Sequence, residues 1–270
     1  GNLVSNGDFS QEGSELITNG DFSVSGTPDA TSWALGWYSN TNNVEIANGK
    51  LTLSNSAAES VSRAYATNGV NSNNILTTNK FYKLQYDIVE NNGATDLKYY
   101  SANAEFISVP SVDVGSYTLY IQNTGNSLFL FQLNTSNASI SLDNVSIKEV
   151  GQDWDFVGEA ELTAQGARVY SSTGSYSSVR QSSDVLTIGN KYKITFNVIS
   201  TNGTSLANGN SNITYDTSTT GNKTFYITAS EVGLIFKRAA AITTDVTITN
   251  ISVIEITDDT NLPRIDYSPY

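Results

Sequence analysis

The sequence has 270 residues, enough for one large or two ordinary domains. It contains no cysteine, histidine or methionine, which excludes disulfides, thiolate metal sites and a Ser-His-Asp triad. Its 26 acidic and 14 basic residues give a formal net charge of −12, which argues against nucleic-acid or anionic-membrane partners.

The N-terminus contains one short phrase twice. LVSNGDFS at residues 3–10 returns as LITNGDFS at residues 16–23. Asn-Gly-Asp is typical of a turn, and the Phe that follows it is suited to anchor a strand in a core. We assign the second phrase to the domain that follows it, which leaves residues 1–14 as an extra N-terminal segment.

Strand patterns dominate the rest of the chain. Apolar and polar residues alternate over 81–89, and similar patterns recur at 117–121, 127–131 and 194–199. Period-two alternation with aromatic and β-branched residues predicts half-buried antiparallel strands. Residues 57–66 fit a strand as well as a helix, so the sequence predicts an all-β chain.

A second and longer repeat defines the domains. Residues 76–89 match 186–199, and residues 115–121 and 139–150 match 221–227 and 245–256. A period this long indicates tandem domains rather than a solenoid. We therefore predict a first domain over 15–150, a second over 151–257 and a C-terminal linker over 258–270.

The last strand of each domain changes its alternation phase. The apolar positions move from even to odd numbers across Asp143-Asn144, and they do so again across Thr249-Asn250. An alternating strand changes phase by inserting a residue, so the pattern predicts a β-bulge in each domain.

NGDF near a domain start, a Trp about a dozen residues later and a terminal ISLDNVSIKEV together resemble the jelly rolls of carbohydrate-binding-module families 4, 9 and 22. The tail TDDTNLPRIDYSPY resembles connectors in phage tail-fibre and other virion proteins. The resemblance implies two tandem jelly-roll β-sandwich domains with an extra N-terminal strand segment. It also implies a longer, phage-borne fibre protein.

The same resemblance implies a structural calcium ion between the first strand and the final strand of a domain. The matching positions in the first domain are Asp21 and Asp143, and Ca²⁺ accepts such carboxylates together with carbonyls and water. The alternative is that Asp21 caps a turn while Asp143 binds the backbone of the bulge. The second domain has Thr249 in place of Asp143, so we expect no ion there.

Candidate sugar-binding residues are the aromatic side chains of the first domain: Trp37, Tyr38, Tyr99 and Tyr100. Trp33 has an apparent counterpart in Trp154, which favours a core position for both. Trp37-Tyr38 has no such counterpart and is therefore the stronger ligand candidate. Tyr99 and Tyr100 are adjacent in a predicted strand, so one ring should face the core.

Catalysis is not predicted. The carboxylate pairs Asp153/Asp155 and Glu159/Glu161 could share a strand face, as glycoside hydrolysis requires. They lie at the start of a domain in a strongly acidic chain, so we expect these carboxylates to be solvated surface groups.

Two interpretations of the first phrase stay open. It is a remnant, either the start of a lost domain or a segment that runs along the edge of the first domain, or Leu3, Val4 and Phe9 belong to a strand that completes an open edge of another domain. That other domain could be the second domain of a neighbouring chain.

The leading interpretation is a non-enzymatic structural and adhesive segment of an extracellular fibre, with the phage virion as its setting. Its partners would be glycans, other copies of itself, or virion and filament proteins, without membrane insertion. The alternatives are a carbohydrate-binding accessory module of a secreted polysaccharide-degrading enzyme and a bacterial surface adhesin or filament subunit. Fold alone does not separate them.

Overall fold

The computed structural model describes residues 1–29, 31, 33–41, 43–102, 105–125, 127–209 and 213–257. Within these ranges the chain is all-β, and its one helical element is a 3₁₀ turn at Trp33–Leu35. The chain divides into two compact units. We name Glu12–Val150 the inserted domain, and Gly1–Gln11 together with the chain from Gly151 onward the split domain.

The inserted domain is a β-sandwich of two antiparallel sheets. One sheet has the order β3-β4-β11-β6-β9, with β1 also paired to β11. Its strands are β1 (Glu12–Glu15), β3 (Val44–Ala47), β4 (Lys50–Asn55), β6 (Phe81–Asn92), β9 (Gly115–Gln122) and β11 (Ala138–Val150). The other sheet contains β2 (Trp37–Tyr38), β5 (Ser62–Ala66), β7 (Leu97–Ala102), β8 (Glu105–Ser108) and β10 (Leu130–Leu133). Its order is β2-β5-β10-β7-β8.

The split domain repeats this strand order, except that its described residues contain no strand equivalent to β1. Its first sheet has the order β12-β15-β20-β17-β18 and its second β13-β14-β21-β16-β19. The first consists of β12 (Trp154–Val157), β15 (Ser178–Gln181), β17 (Leu206–Ala207), β18 (Thr214–Tyr215) and β20 (Ile235–Arg238). The second consists of β13 (Glu161–Thr163), β14 (Gly166–Ser171), β16 (Lys191–Thr201), β19 (Gly221–Thr228) and β21 (Thr244–Glu255). The predicted all-β fold of two jelly-roll sandwiches is confirmed.

Alternation places the core between the sheets of each domain. In β4 every second residue, such as Leu51 and Leu53, is buried, and the residues between them are partly exposed. The core of the inserted domain is closed by large side chains that include Phe22, Trp37 and Phe131, none of which is measurably exposed. Their burial removes apolar surface from water, which is the main favourable term in folding.

The predicted β-bulges are present in both final strands. Between Asp143 and Ser146, β11 advances three residues while β6 advances two. Between Thr249 and Ser252, β21 does the same against β16. Asn144 and the corresponding Asn250 adopt left-handed φ values of 50° and 54°, a conformation that asparagine tolerates better than most residues.

Each NGDF phrase lies against one of these bulges. The N–H of Val145, just after the bulge in β11, donates to the carbonyl of Gly20 at 2.9 Å. The N–H of Ile251 in β21 donates to the carbonyl of Gly7 at the same distance. A Cβ at Gly20 or Gly7 would lie 2.0 or 2.1 Å from the facing carbonyl oxygen, so only glycine fits.

The Phe of each phrase packs on a buried Trp of the same domain. Phe22 lies 5.6 Å from Trp37, and Phe9 lies 5.2 Å from Trp154, between ring centroids. In both domains the indole N–H donates to the backbone carbonyl of the phrase's Asn, at 3.2 and 3.0 Å. The two phrases are therefore structurally equivalent, one for each domain.

This equivalence corrects the predicted domain boundaries. Residues 1–14 are not an extra segment, because residues 1–11 belong to the split domain and the inserted domain begins at Glu12. The split domain is built from two pieces of chain, with the whole inserted domain between them in sequence. The predicted linker over 258–270 lies outside the described residues.

The equivalence of the two phrases also corrects the predicted correspondence between the tryptophans of the two domains. The counterpart of Trp154 is Trp37, not Trp33, because both follow a residue with positive φ and both contact the Phe of the phrase. Gly36 has a φ of 75° and Asp153 a φ of 70°. The predicted core position of Trp154 is confirmed, and Trp37 shares it. The predicted core position of Trp33 is wrong, because Trp33 lies half-buried on the 3₁₀ turn.

The residues proposed for strand donation lie on the split domain of their own chain. The N–H of Leu3 donates to the carbonyl of Val253 in β21 at 2.8 Å. Val4 and Phe9 are buried, at 8% and 6% exposure. The second domain is thus the recipient within one chain, and donation to a neighbouring chain stays a prediction.

Candidate functional site

One row of large side chains crosses the sheet that contains β2 and β5 in the inserted domain. In the antiparallel register Tyr38 pairs with Tyr65, and Tyr65 pairs with Leu130. Leu130 pairs in turn with Tyr100, and Tyr100 with Phe106. Directly paired residues project to the same side of a sheet, so these side chains share one face.

That face is the outer one. The neighbours of the row along the same strands point into the core, and they include Trp37, Ala64, Phe131 and Tyr99. Side chains alternate between the two faces of a strand, so the row lies on the side away from the core. Leu130 and Tyr100 of the row are buried, at 2% and 9% exposure, whereas Tyr38, Tyr65 and Phe106 are partly exposed.

The rings of this row form two groups of contacting rings, with Leu130 between the groups in the register. Trp33, on the 3₁₀ turn, stacks on Tyr38 with centroids 5.5 Å apart and planes 17° apart. Tyr38 lies 4.9 Å from Tyr65, and Tyr100 lies 5.2 Å from Phe106. We call these five residues the aromatic row. Trp33, Tyr38, Tyr65 and Phe106 are half-buried, so part of each ring remains accessible.

A polar row runs beside the aromatic row on the same face. Gln132 of β10 pairs in register with Arg63 of β5 and with Lys98 of β7. The Arg63 Nε donates to the Gln132 Oε1 at 2.5 Å, and the Gln132 Nε2 donates to the Asn134 Oδ1 at 2.6 Å. Lys98 forms an ion pair with Asp96 at 3.3 Å. Fixed donors and acceptors therefore border the rings.

The split domain carries a different set of residues at the corresponding positions. Asp155 pairs in register with Arg180, and Arg180 with Ile235, where the inserted domain has Tyr38, Tyr65 and Leu130. Asp155 and Arg180 form an ion pair at 3.1 Å. The described part of this sheet thus has no aromatic row, although its topology is the same.

The structure separates the four predicted sugar-binding residues into two pairs. Tyr38 and Tyr100 belong to the aromatic row. Trp37 is fully buried and Tyr99 is 8% exposed, both within the core, which contradicts a binding role for either ring. Tyr100 points to the outer face but is only 9% exposed, so of the four residues only Tyr38 offers an accessible ring. The expectation that one of Tyr99 and Tyr100 faces the core is confirmed.

The predicted calcium ligands make local hydrogen bonds. The carboxylate of Asp21 accepts the N–H and hydroxyl of Ser23, and the N–H bond in particular lowers the pKa of that carboxyl. Asp143 accepts the N–H of Asn144 in the bulge at 2.7 Å. These are the turn and bulge roles of the alternative interpretation. Asp8, in the domain where no ion is expected, binds its own turn in the same way.

Among the described residues, no group of three or more carboxylates converges as a metal site would require. Calcium bound with backbone carbonyls and water stays a prediction for the inserted domain.

Three of the four carboxylates near Gly151, where the second segment of the split domain begins, make local contacts. Asp155 is paired with Arg180, and Glu161 accepts from Arg168 at 2.7 Å. Glu159 accepts the N–H and hydroxyl of Ser172.

In the described part of the chain, no helix has the length and apolar character needed to cross a membrane.

No protein-family model matches the chain, and no curated protein matches it. Among solved structures, the chain is similar to the N-terminal CBM22-1–CBM22-2 tandem domain of Paenibacillus barcinonensis Xyn10C, with 10% identity and a TM-score of 0.35. That match covers 90% of this chain and 98% of the tandem domain.

A structure described as CBM4 also matches, with 10% identity and a TM-score of 0.32, over 49% of this chain and 99% of the other. A third, BiXyn10A CBM1 in its apo form, has 10% identity and a TM-score of 0.28, over 53% and 92%. At such scores the similarity carries no argument about function.

Proposed function

We propose that the inserted domain is a carbohydrate-binding module whose ligand lies on the outer face of the β2-β5-β10-β7-β8 sheet. The observation that carries this proposal is the aromatic row, whose rings come from the 3₁₀ turn and four strands, are partly accessible except for Tyr100, and are bordered by polar side chains. Such a combination of apolar surface with a few fixed polar groups is typical of ligand sites.

The chemistry of the row suits sugar rings. A pyranose presents a face of C–H groups that packs against an aromatic ring, while its hydroxyls project outward at the edge. Tyr38 and Tyr65 would provide the packing surface, and Arg63, Gln132 and Lys98 would donate to hydroxyls. The domain would bind its ligand without changing it chemically.

The duplicated domain provides an internal comparison. Asp155 and Arg180 replace two rings of the row in the split domain and neutralise one another. We therefore assign binding to the inserted domain, and a supporting structural role to the split domain.

The setting of this module stays a prediction. An extracellular location, and a place in a virion fibre, in an adhesin or beside a polysaccharide-degrading enzyme, are all compatible with glycan binding. Because residues 1–11 complete the split domain, an unused N-terminal strand no longer favours the fibre over the enzyme accessory module.

A glycan-array screen of the full chain, with calcium and with EDTA, tests the proposal. We expect binding to at least one glycan class, and a loss of about 30-fold in affinity for Tyr65→Ala, as is typical of a central aromatic contact. Tyr38→Ala should weaken binding at the same end of the row. Tyr226→Ala is the matched control, because Tyr226 is an exposed tyrosine, at 43% exposure, on a strand of the split domain.

The melting temperature of each variant separates lost binding from lost folding. Absence of binding to every glycan by the wild-type chain would contradict the proposal. Unchanged glycan affinity in both Tyr65→Ala and Tyr38→Ala would also contradict the proposal.

A further inference from the structure

The polar row contains a cation with no carboxylate partner. Arg63 makes no ion pair with any described carboxylate, whereas Lys98 in the same row is paired with Asp96. Arg168 and Arg180 of the split domain are paired as well, whereas Arg238 has no ion pair among the described residues and donates its Nε to the carbonyl of Ser175. What distinguishes Arg63 is its position, because it lies in the polar row beside the aromatic row.

The Arg63 guanidinium is also held in place. Its Nε is bonded to Gln132, which is only 5% exposed and is fixed in turn by Asn134. Its central carbon lies 5.5 Å from the ring centroid of Phe106, within cation–π range. These contacts use the Nε and one face of the group, and neither Nη group has a hydrogen bond or ion pair with the described residues.

An arginine edge with two parallel N–H donors matches the two oxygens of a carboxylate. From this geometry we infer that the aromatic row binds an acidic glycan, with Arg63 pairing with a carboxylate on a sugar ring. This inference rests on the proposed function and adds the ligand class. Uronic and sialic acids share the required chemistry.

Matched ligands that differ in the carboxylate alone test the inference. The full chain is titrated with polygalacturonate and with its carboxyl-reduced form, and separately with sialyllactose and lactose. We expect an acidic ligand to bind about 10-fold to 100-fold more tightly than its neutral partner, as is typical of a hydrogen-bonded charged pair. A preference within the polygalacturonate pair would identify a uronic acid as the ligand, and a preference within the sialyllactose pair would identify a sialic acid.

Variants then locate the effect. Arg63→Gln should remove the preference, and Arg63→Lys should remove most of it, because lysine keeps the charge but not the two parallel donors. Arg180→Gln is the control, since it changes the net charge by the same amount in the split domain and should leave the preference intact. Melting temperatures close to that of the wild type establish that the variants are folded.

Three results would overturn the inference. Equal affinity for acidic and neutral ligands, with binding still lost in Tyr65→Ala, would leave glycan binding standing without the acidic class. A preference that survives in Arg63→Gln, or falls equally in Arg180→Gln, would indicate a diffuse charge effect. No binding of any ligand would remove the proposed function together with the inference.

Discussion

Replacing Phe9 by Ala should destabilise the split domain and leave the inserted domain intact. Phe9 is 6% exposed and lies 5.2 Å from Trp154, yet it is separated from the rest of its domain by the whole inserted domain in sequence. A buried Phe→Ala substitution costs about 3–5 kcal/mol. For a domain of on the order of 100 residues, this should lower the melting temperature by roughly 10–20 °C.

Differential scanning calorimetry measures the effect when the two domains unfold in separate transitions. Phe22→Ala is the matched variant, because Phe22 makes the same contact in the inserted domain and should lower the other transition. Ser5→Ala is the control within the N-terminal segment, since Ser5 is exposed and contributes its backbone carbonyl to the indole N–H of Trp154.

The reasoning would be refuted by a Phe9→Ala protein with both transitions unchanged, or by Phe9→Ala and Phe22→Ala lowering the same transition. A transition that depends on protein concentration, in a protein with a dimeric or larger solution mass, would instead support donation of residues 1–11 to a neighbouring chain.

Three further predictions concern single side chains. Gly20→Ala should lower the unfolding free energy of the inserted domain by several kcal/mol, because its Cβ would lie 2.0 Å from the Val145 carbonyl oxygen. Calorimetry should show this as a lower transition temperature for that domain, and an unchanged temperature would contradict the close approach. If calcium binds as the family resemblance implies, the inserted domain should melt at a higher temperature in Ca²⁺ than in EDTA. Asp143→Asn should abolish this difference. Equal melting temperatures for the wild type in Ca²⁺ and in EDTA would exclude the site. The hydrogen bonds from the Arg168 guanidinium lower the pKa of Asp245 below its ordinary value of 3.8. This pair therefore stabilises the split domain fully above pH 3.8, and the stabilisation is lost as the pH falls through the lowered pKa. Unfolding measured between pH 5 and pH 2 should therefore be less acid-sensitive in Arg168→Gln, and identical acid sensitivity would contradict the role of the pair.

The repeat and the bulges could be predicted from the sequence because both leave a signal along the chain. The phase change at Asp143-Asn144 is visible in the order of apolar and polar residues, and its recurrence at Thr249-Asn250 marks it as structural. Alternation likewise predicted that Tyr99 and Tyr100 face opposite sides of their strand. These features depend on residues that are close in sequence.

The partner of the first phrase could not be predicted in the same way. Gly7 contacts β21, which is more than two hundred residues away, and the two phrases are nearly identical in sequence. A signal was nevertheless present. The second domain starts directly at Gly151 without a phrase of its own, and Asp153-Trp154 corresponds to Gly36-Trp37 as a turn residue followed by the core Trp.

The aromatic row was predicted in part. It runs perpendicular to the strands, so its members come from separate stretches of chain that meet through strand pairing. Sequence reasoning found Tyr38 and Tyr100 because each stands beside another aromatic residue, and it included Trp37 and Tyr99 for the same reason. Tyr65 and Phe106 were missed, although Arg63 and Tyr65 alternate with two alanines in a pattern that indicates an outward-facing pair.

The insertion of one domain into the chain of the other couples the folding free energies of the two domains. Glu12 pairs with Val150 in antiparallel register, so a folded inserted domain holds the ends of residues 12–150 side by side. When that domain unfolds, the split domain has to close a long flexible loop in place of a short rigid bridge, at an entropic cost of about 4 kcal/mol from the logarithm of loop length. The coupling is reciprocal, because a folded split domain joins its two segments, as in the hydrogen bond from Asn6 to the carbonyl of Gln152, and so restrains the ends of an unfolded inserted domain. Each folded domain would thus act as a crosslink that stabilises the other.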